Sequence, residues 1–523
     1  QAAIRDPLWS RGLGDVYKRQ NMTNVTSLLE QHTDSYKILT AAMDLASAME
    51  KEVYVVGGYV RDALMKRSLT DIDLMVVGDG IAFARELAPA FKGGKIVPFE
   101  QFGTAQIPLN NSIIEVASAR SEAYLPDSRK PKVEDADLET DLSRRDFTIN
   151  AMAVSLNQAD FGELHDPYNG VNDLNSGLIR TPLDPDTTFS DDPLRMLRAV
   201  RFASQLGFKV DSSVTDSIKR QVDRIEIVSV ERVTAEIYKI RASPQPSVGL
   251  DLLQQVGLME IILPEVSALY GLEQPPEWHH KDIFYHTLKV VDNIAEKTEK
   301  RDLRFAALIH DIGKPKTRRL DKKKGWTFHG HDAVGANMVD KMAKRMKLSN
   351  QTREFLKKLT FLHLRPISLA KEDVTDSAVR RLMVTAGEEV DDLMTLCRAD
   401  ITSKNPKLVK KYMENFQRVE IFMQDVTEQD AYRAFQSPVR GDQIMKECGL
   451  APGKTVGKIK EAIENAILDG EIENDYDAAY EYFLKIKEEF LQSVSYTHLR
   501  AHETREDRVW RLVRGKKKRG GGG

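Results

Sequence analysis

The chain has 523 residues, too many for one hydrophobic core, and should divide into about three or four domains. With 41% hydrophobic and 30% charged residues it reads as an ordinary globular protein, and a net charge of −3 excludes a uniformly basic nucleic-acid coat, so any RNA contact must be local. Two cysteines, Cys397 and Cys448, exclude a disulfide framework and a cysteine zinc site, and no apolar run approaches the ~18 residues of a membrane span, which predicts a cytoplasmic protein.

Residues 1–21 and 493–523 lack the patterning of the chain between them and are expected to be non-native extensions. The alternative for the second is an RNA-binding arm at Lys516-Lys517-Lys518-Arg519. An amphipathic helix is expected over Ser35–Met49. The next stretch, EVYVVGGYVRDALMKRSLTDIDLMVVGDG from Glu52 to Gly80, reads as strand, glycine turn, helix and strand. Gly57-Gly58 breaks the first strand where backbone can approach a ligand closely, and a helix starting near Tyr59 points free N–H groups at the same spot, which outlines a phosphate site with Arg61 nearby. Asp71 and Asp73 share one face of the second strand and can hold a pair of divalent metals roughly 3.5–4 Å apart for displacement at phosphorus. Buried strands do not carry unpaired acids without such compensation. Nucleotidyl transfer is the chemistry this implies.

A helix is expected over Gly80–Pro89, strands over Lys95–Pro98 and Thr104–Pro108, and a further strand over Ser112–Ala117, with Glu115 placed to be a third acid near the metals. Ala119–Leu142 reads as one long polar loop. Arg144-Arg145-Asp146 follows, and paired guanidinium forks suit a triphosphate. After a turn from Asp166-Pro167 to Gly170 the chain becomes almost wholly helical, so an α+β head followed by all-helical domains is expected.

The helix expected over Asp192–Leu206 sets Asp192 and Arg195 three residues apart on one face. Cytosine and adenine each offer an amine beside an unprotonated ring nitrogen, so a carboxylate that accepts and an arginine that donates fit both and mismatch uracil and guanine. The competing role for Asp192 is a helix cap ahead of Pro193, a role Asp191 could take instead. Arg198, Arg201 and Arg232 extend this basic side. From Gln274 onward the chain carries His286, His310-Asp311, His331, His363 and Asp400, an imidazole and carboxylate set that suits Mg, Mn, Fe or Ni. GLAPGKT at Gly449–Thr455 lacks the first glycine of a phosphate-binding loop, where Cys448 stands, and reads as a turn between helices. Lys454, Lys458 and Lys460 there could meet phosphates.

GGYVRDALMKRSLTDIDLMVV, RRDFTINAMA at Arg144–Ala153, DDPLRMLRAVRFASQLGF at Asp191–Phe208 and ERVTAE at Glu231–Glu236 resemble, in order, the polymerase-β-like nucleotidyltransferases of the bacterial tRNA CCA-adding and poly(A) polymerase type. HDIGKP at His310–Pro315 resembles the HD phosphohydrolases. The resemblance implies a nucleotidyltransferase head (22–180), a nucleotide-selecting helical neck (181–245), a helical body with an HD domain (246–425) and a tRNA-binding tail (426–492). It implies catalysis with Mg2+ at Asp71, Asp73 and Glu115, and nucleotide binding by Gly57, Gly58, Arg61, Arg144, Arg145, Asp146, Asn150, Asp192, Arg195, Arg198 and Arg201. A second divalent metal is implied at the HD residues, with a phosphohydrolase activity there. The 119–142 stretch would be a flexible element needed for the final A. The implied partners are tRNA, through its acceptor end and elbow, CTP and ATP, without DNA or membrane. CCA addition is favoured over poly(A) synthesis because no Arg-rich strand follows the metal motif. Partial CC or A addition, or a phosphohydrolase with an inactive head, are the alternatives.

Overall fold

The computed structural model describes residues 24–491 except 70, 92–93, 110–111, 124–131, 274–281, 324, 370–375, 403–404, 430–436 and 489. Both terminal extensions, with the basic run at 516–519, lie outside the described residues. The chain forms two compact units that divide between Thr360 and Phe361.

The first unit opens with helix α1 (Thr33–Met49), then β1 (Val53–Val56), α2 (Gly58–Leu64), β2 (Ile72–Val76) and α3 (Gly80–Leu87). Strands β3 (Val97–Phe99), β4 (Thr104–Pro108) and β5 (Ile113–Ser118) follow, and after an excursion β8 (Ala153–Ser155) and β9 (Leu164–His165) complete a seven-stranded sheet in the order β3-β4-β5-β2-β1-β8-β9. Only β2 and β5 pair in parallel; the other neighbours are antiparallel. The β-branched run of β1 is buried on both faces, which is why it lies inside the sheet, and Phe83 and Phe147 are among the largest fully buried side chains.

The excursion corrects one expectation. Residues 119–142 are not one loop: β6 (Arg120–Ala123) pairs antiparallel with β7 (Lys132–Asp135), and helix α4 (Leu138–Ser143) starts at Asp137, whose carboxylate accepts from Thr140 N at 2.9 Å. A two-stranded ribbon satisfies its backbone without an apolar face, so hydrophobic periodicity gives no signal for it.

Short strands β10 (Leu178–Ile179) and β11 (Lys209–Val210) bracket helices α5 (Pro185–Asp191) and α6 (Leu194–Leu206), and α7 (Val230–Arg241) packs across α6. The helical part continues with α8 (Ile283–Ala295), α9 (Arg301–Ile309), a hairpin of β12 (Arg319–Asp321) and β13 (Gly325–Thr327), and α10 (His331–Arg345). Helix α11 (Asn350–Leu362) carries the chain into the second unit.

In the second unit α12 (Val390–Asp400) precedes α13 (Gly441–Cys448) and α14 (Lys454–Leu468), which share a core of Val439, Ile444, Ile459, Ile463 and Phe483. Gly449–Gly453 forms the turn between α13 and α14, as expected, with Gly449 left-handed at φ 63°.

Candidate functional site

A pocket of about 1280 Å³ lies in the first unit between the sheet and the helices that follow it. All the head and neck residues singled out above line it, from Gly57 and Gly58 to Arg198 and Arg201. Gly57 caps α2 with φ 71° and ψ −130°, a conformation side-chain-bearing residues rarely adopt. A Cβ there would stand 3.0 Å from Arg145 Nη1 and 3.6 Å from Asp73 Oδ2, so the glycine keeps open the floor between guanidinium and carboxylate. Asp73 lies opposite Glu115 in the parallel β2–β5 register, and Asp71 precedes β2 at the exposed end of the same face. Gln106 Nε2 donates to Glu115 Oε2 at 3.2 Å from β4.

Negative charge is under-compensated at this point. Burial, then the neighbouring carboxylate of Glu115, push Asp73 up to about 6 against the opposing pull of Arg145 and Arg61, with Asp71 adding to the rise. Three acids of which one resists ionisation form a donor set that fits divalent cations.

Around them the cations are held by buried acids. Arg61 forks onto Asp62 (3.0 and 2.7 Å) and donates through Nη1 to Asn150 Oδ1 at 2.6 Å. Asn150 donates to Asp146 Oδ1 at 3.0 Å, and Arg198 meets Asp146 Oδ2 from Nε at 2.7 Å. One chain of bonds thus runs from the glycine turn to helix α6. Burial alone would raise Asp146, but Arg198 and the Asn150 bond hold it below the usual carboxylate range. Asp141 behaves alike: it is buried, yet Arg145 and Arg144 lower it, with contacts of 2.9 and 2.5 Å.

The expected helix start at Asp192 is corrected. Asp192 is extended (φ −136°, ψ 100°), Asp191 is the last residue of α5, and α6 begins at Leu194 after Pro193. Proline disfavours helical geometry in the residue before it, which breaks the helix at Asp192. Asp192 and Arg195 still meet at the pocket, but not as neighbours on one helical face. Asp192 does act as a cap, accepting from Leu194 N at 3.1 Å through Oδ1, while Oδ2 lies 3.5 Å from Arg232. Arg195 is buried and donates to Arg144 O at 2.6 Å, which aims it across the pocket floor.

Sequence reasoning missed four contributors. Phe202 lies under three guanidinia, at 4.4 Å from Arg201, 5.2 Å from Arg61 and 5.5 Å from Arg198. Glu236, buried on α7, pairs with Arg201 at 3.2 Å. Asp141 clamps both arginines of the RRD motif. Arg301, at the start of α9, reaches the pocket from 100 residues further along the chain. Only the i, i+3 and i, i+4 spacing of Asp141 to Arg144 and Arg145 was visible in the sequence.

A second cluster gathers around Asp311 at the far end of α9. The Nε2 atoms of His310, His331 and His286 stand 3.2, 3.3 and 3.8 Å from its oxygens. Ligand atoms of His286, His310 and Asp311 lie within 4.8 Å of one another. His310 Nδ1 faces Ala307 O at 2.8 Å and His331 Nδ1 faces Phe328 O at 2.7 Å, which fixes each ring with its Nε2 turned toward Asp311. The donor set fits a divalent transition metal. Burial opposes ionisation of Asp311, but His310 and the Lys314 ammonium, 2.5 Å away, hold it far below the carboxylate range. His363 and Asp400 lie in the second unit; His363 is buried, and its carbonyl accepts from Cys397, one helical turn before Asp400. No helix among the described residues is long and apolar enough to cross a membrane.

Comparison with known proteins matches the chain domain by domain. A Poly A polymerase head domain matches residues 53–180, a probable RNA and SrmB-binding site of polymerase A matches 207–269, and an HD domain matches 283–404. The Multifunctional CCA protein of Shewanella frigidimarina (strain NCIMB 400) is 34% identical over 321 residues, 58% of this chain and 71% of that protein. A solved tRNA nucleotidyltransferase complexed with a primer tRNA and an incoming ATP analog is 27% identical, with TM-score 0.53, over 73% of this chain and 99% of that one. The Thermotoga maritima CCA-adding enzyme complexed with tRNA shares the fold at 21% identity and TM-score 0.56, over 90% of this chain and 98% of that one. Fold and site together define a nucleotidyltransferase with a polymerase-β-like head and an HD domain, two families that use divalent metals. The chain belongs to the family of CCA-adding tRNA nucleotidyltransferases.

Proposed function

We propose that the protein adds C, C and A in turn to the 3′ end of tRNA, from CTP and ATP and without a template. The observation that carries this is the opposition, across one glycine turn, of Asp71, Asp73 and Glu115 to a wall of arginines steadied by Asp141 and Asp146. Mg2+ held by Asp71 and Asp73 would supply the Lewis acid for attack of the terminal hydroxyl on the α-phosphorus and for departure of pyrophosphate. The chain's own residues position the reactants. Gly57 and Gly58 let the triphosphate lie against backbone, Arg144 and Arg145 meet its oxygens, and Asp146 seats the ribose. Asn150 holds Arg61 against the same group. Asp192 accepts from the base amine and Arg195 donates to the ring nitrogen, which selects C and A together. Arg198 and Arg201 brace that edge against Phe202.

In this reading 22–180 is the catalytic head, 181–245 the selecting neck, 246–425 the body with the HD domain and 426–492 a tail that grips the tRNA elbow, and the protein works in the cytoplasm among its tRNAs. Complete CCA addition is favoured over poly(A) synthesis or partial addition by the family to which the chain belongs. Replacing Asp71 or Asp73 by Ala should abolish incorporation of CTP and ATP into a tRNA lacking its end while tRNA binding survives; incorporation retained in either variant refutes the metal role.

A second activity, hydrolysis of a phosphate ester at the HD cluster, is favoured by the three imidazoles directed at Asp311. His363 and Asp400 would complete a site for Ni, Mn, Fe or Mg. Release of phosphate from a 2′,3′-cyclic nucleotide with added Ni or Mn, lost in the His310→Ala/Asp311→Ala double variant, tests it; metal binding without turnover refutes hydrolysis.

A further inference from the structure

Between the Asp311 cluster and α10 the chain runs KPKTRRLDKKKGW, Lys314 to Trp326, with seven cations and one acid in a protein whose net charge is −3. Neither site described above uses six of those cations. The segment folds as the β12–β13 hairpin, with Arg319 opposite Thr327, Leu320 opposite Trp326 and Asp321 opposite Gly325. Lys316, Arg319, Lys322 and Lys323 are exposed, and among the described residues none of them forms an ion pair with an acid. The single acid, Asp321, accepts from Lys323 N at 2.8 Å and so shapes the tip. On the other face the Arg318 guanidinium lies over the Trp326 ring at 3.7 Å, and Leu320 opposite that ring is 68% exposed.

A thin ribbon that concentrates like charge without partners repels itself, and a polyanion laid along it relieves that repulsion while releasing its own counterions. The position suits a long anion rather than a nucleotide. The hairpin begins ten residues after the end of helix α9, which starts at the nucleotide pocket with Arg301. Pocket and ribbon belong to one unit, and a chain whose end occupies the pocket brings a run of phosphates for four cations to share, which a free triphosphate does not.

We propose that the β12–β13 hairpin is an electrostatic clamp for the phosphate backbone of the RNA whose 3′ end is being extended. This rests on tRNA being the substrate. Lys316, Arg319, Lys322 and Lys323 contact phosphates, and the Arg318–Trp326 stack stiffens the ribbon that presents them.

The test measures binding of the full chain to tRNA lacking its CCA end, by fluorescence anisotropy across a salt series. Wild type is compared with Lys316→Gln/Arg319→Gln/Lys322→Gln/Lys323→Gln and with the corresponding fourfold Glu variant. Four lost phosphate contacts should flatten the slope of log K against log salt by about 3, at roughly 0.7–0.9 per contact. The Kd should rise at least tenfold at low salt, further in the Glu variant, with KM for CTP unchanged. An unchanged Kd and slope in both variants overturns the proposal. So does loss of binding to phosphatidylserine vesicles with tRNA affinity intact, which would make the ribbon a membrane contact. Failure of the wild type to extend the tRNA, with hairpin-dependent binding preserved, would refute the proposed CCA addition and leave the clamp standing.

Discussion

Replacing Arg198 by Met keeps most of the volume over Phe202 and removes the charge that holds Asp146. Asp146, 7% exposed in the wild type, keeps Asn150 Nδ2 at 3.0 Å and its neighbouring Phe147 N at 2.9 Å as donors. Breaking a fully buried pair by removing one partner costs about 3–5 kcal/mol. Because the Arg198 side chain is 34% exposed and two hydrogen bonds survive, solvent screening brings the expectation to about 2 kcal/mol. That corresponds to roughly 3 °C in the melting of the first unit. In the wild type Asp146 is depressed, so its contribution is present above the unfolded carboxylate value and lost as pH falls through the folded one. In the variant burial is opposed by the Asn150 bond and Arg195 without Arg198, so the carboxylate rises relative to the wild type, and stability is lost relative to it as pH climbs through and above the carboxylate range. The gap between the two proteins should therefore widen from pH 4.5 to 7.5 in urea or thermal melts, and Asp146→Asn added to Arg198→Met should recover most of it. A loss under about 0.5 kcal/mol at pH 7.5, or the same loss at both pH values, would refute the reasoning.

Asp73 needs its proton removed before it can hold a cation, so the Mg2+ concentration for half-maximal CTP incorporation should rise as pH falls through about 6; a requirement equal at pH 5.5 and 7.5 contradicts this. Arg195→Ala should lower CTP and ATP use together by tenfold or more, the scale of a good bidentate base contact, while UTP and GTP gain relative to them. Unchanged preference in nucleotide competition would leave Arg195 a structural tie to Arg144. Gly313→Ala would drive a Cβ to 2.0 Å from His331 O, forcing α10 away from Asp311. Metal retention at the HD cluster, followed by elemental analysis, should drop severalfold while CTP incorporation in Mg2+ persists.

The strands and turn that carry Gly57, Asp71, Asp73 and Glu115 were legible because their signals are local: a β-branched run, two glycines and a period of two. The helices of the neck and body were legible from apolar periodicity. Three kinds of feature were not. The β6–β7 ribbon is polar in sequence, so nothing in its pattern separates it from a loop. The break at Asp192 depends on Pro193, whose effect on the preceding residue outweighed the helical pattern that continues behind it. Phe202, Glu236 and Arg301 act through contacts closed by the fold, and only the packing of α6, α7 and α9 brings them to one place. A phenylalanine at a buried helical position reads as core, which it is, and its second role as a platform for three guanidinia follows from where those arginines arrive.

Helix α9 bears on how separable the protein's parts are. The HD match begins at residue 283 and suggests a module that could be excised or exchanged. Yet α9, inside that match, contributes Arg301 to the nucleotide pocket, and Arg304 fastens it to the neck through Arg241 O at 3.0 Å and Ser243 O at 3.2 Å. A cut or graft at the sequence border would leave the transferase with an open wall and two buried carbonyls stripped of their donor. A cut after α9 is no better, since it parts His286 on α8 from Asp311 and His331 beyond it, so head and body share α9 and exchange only as one piece.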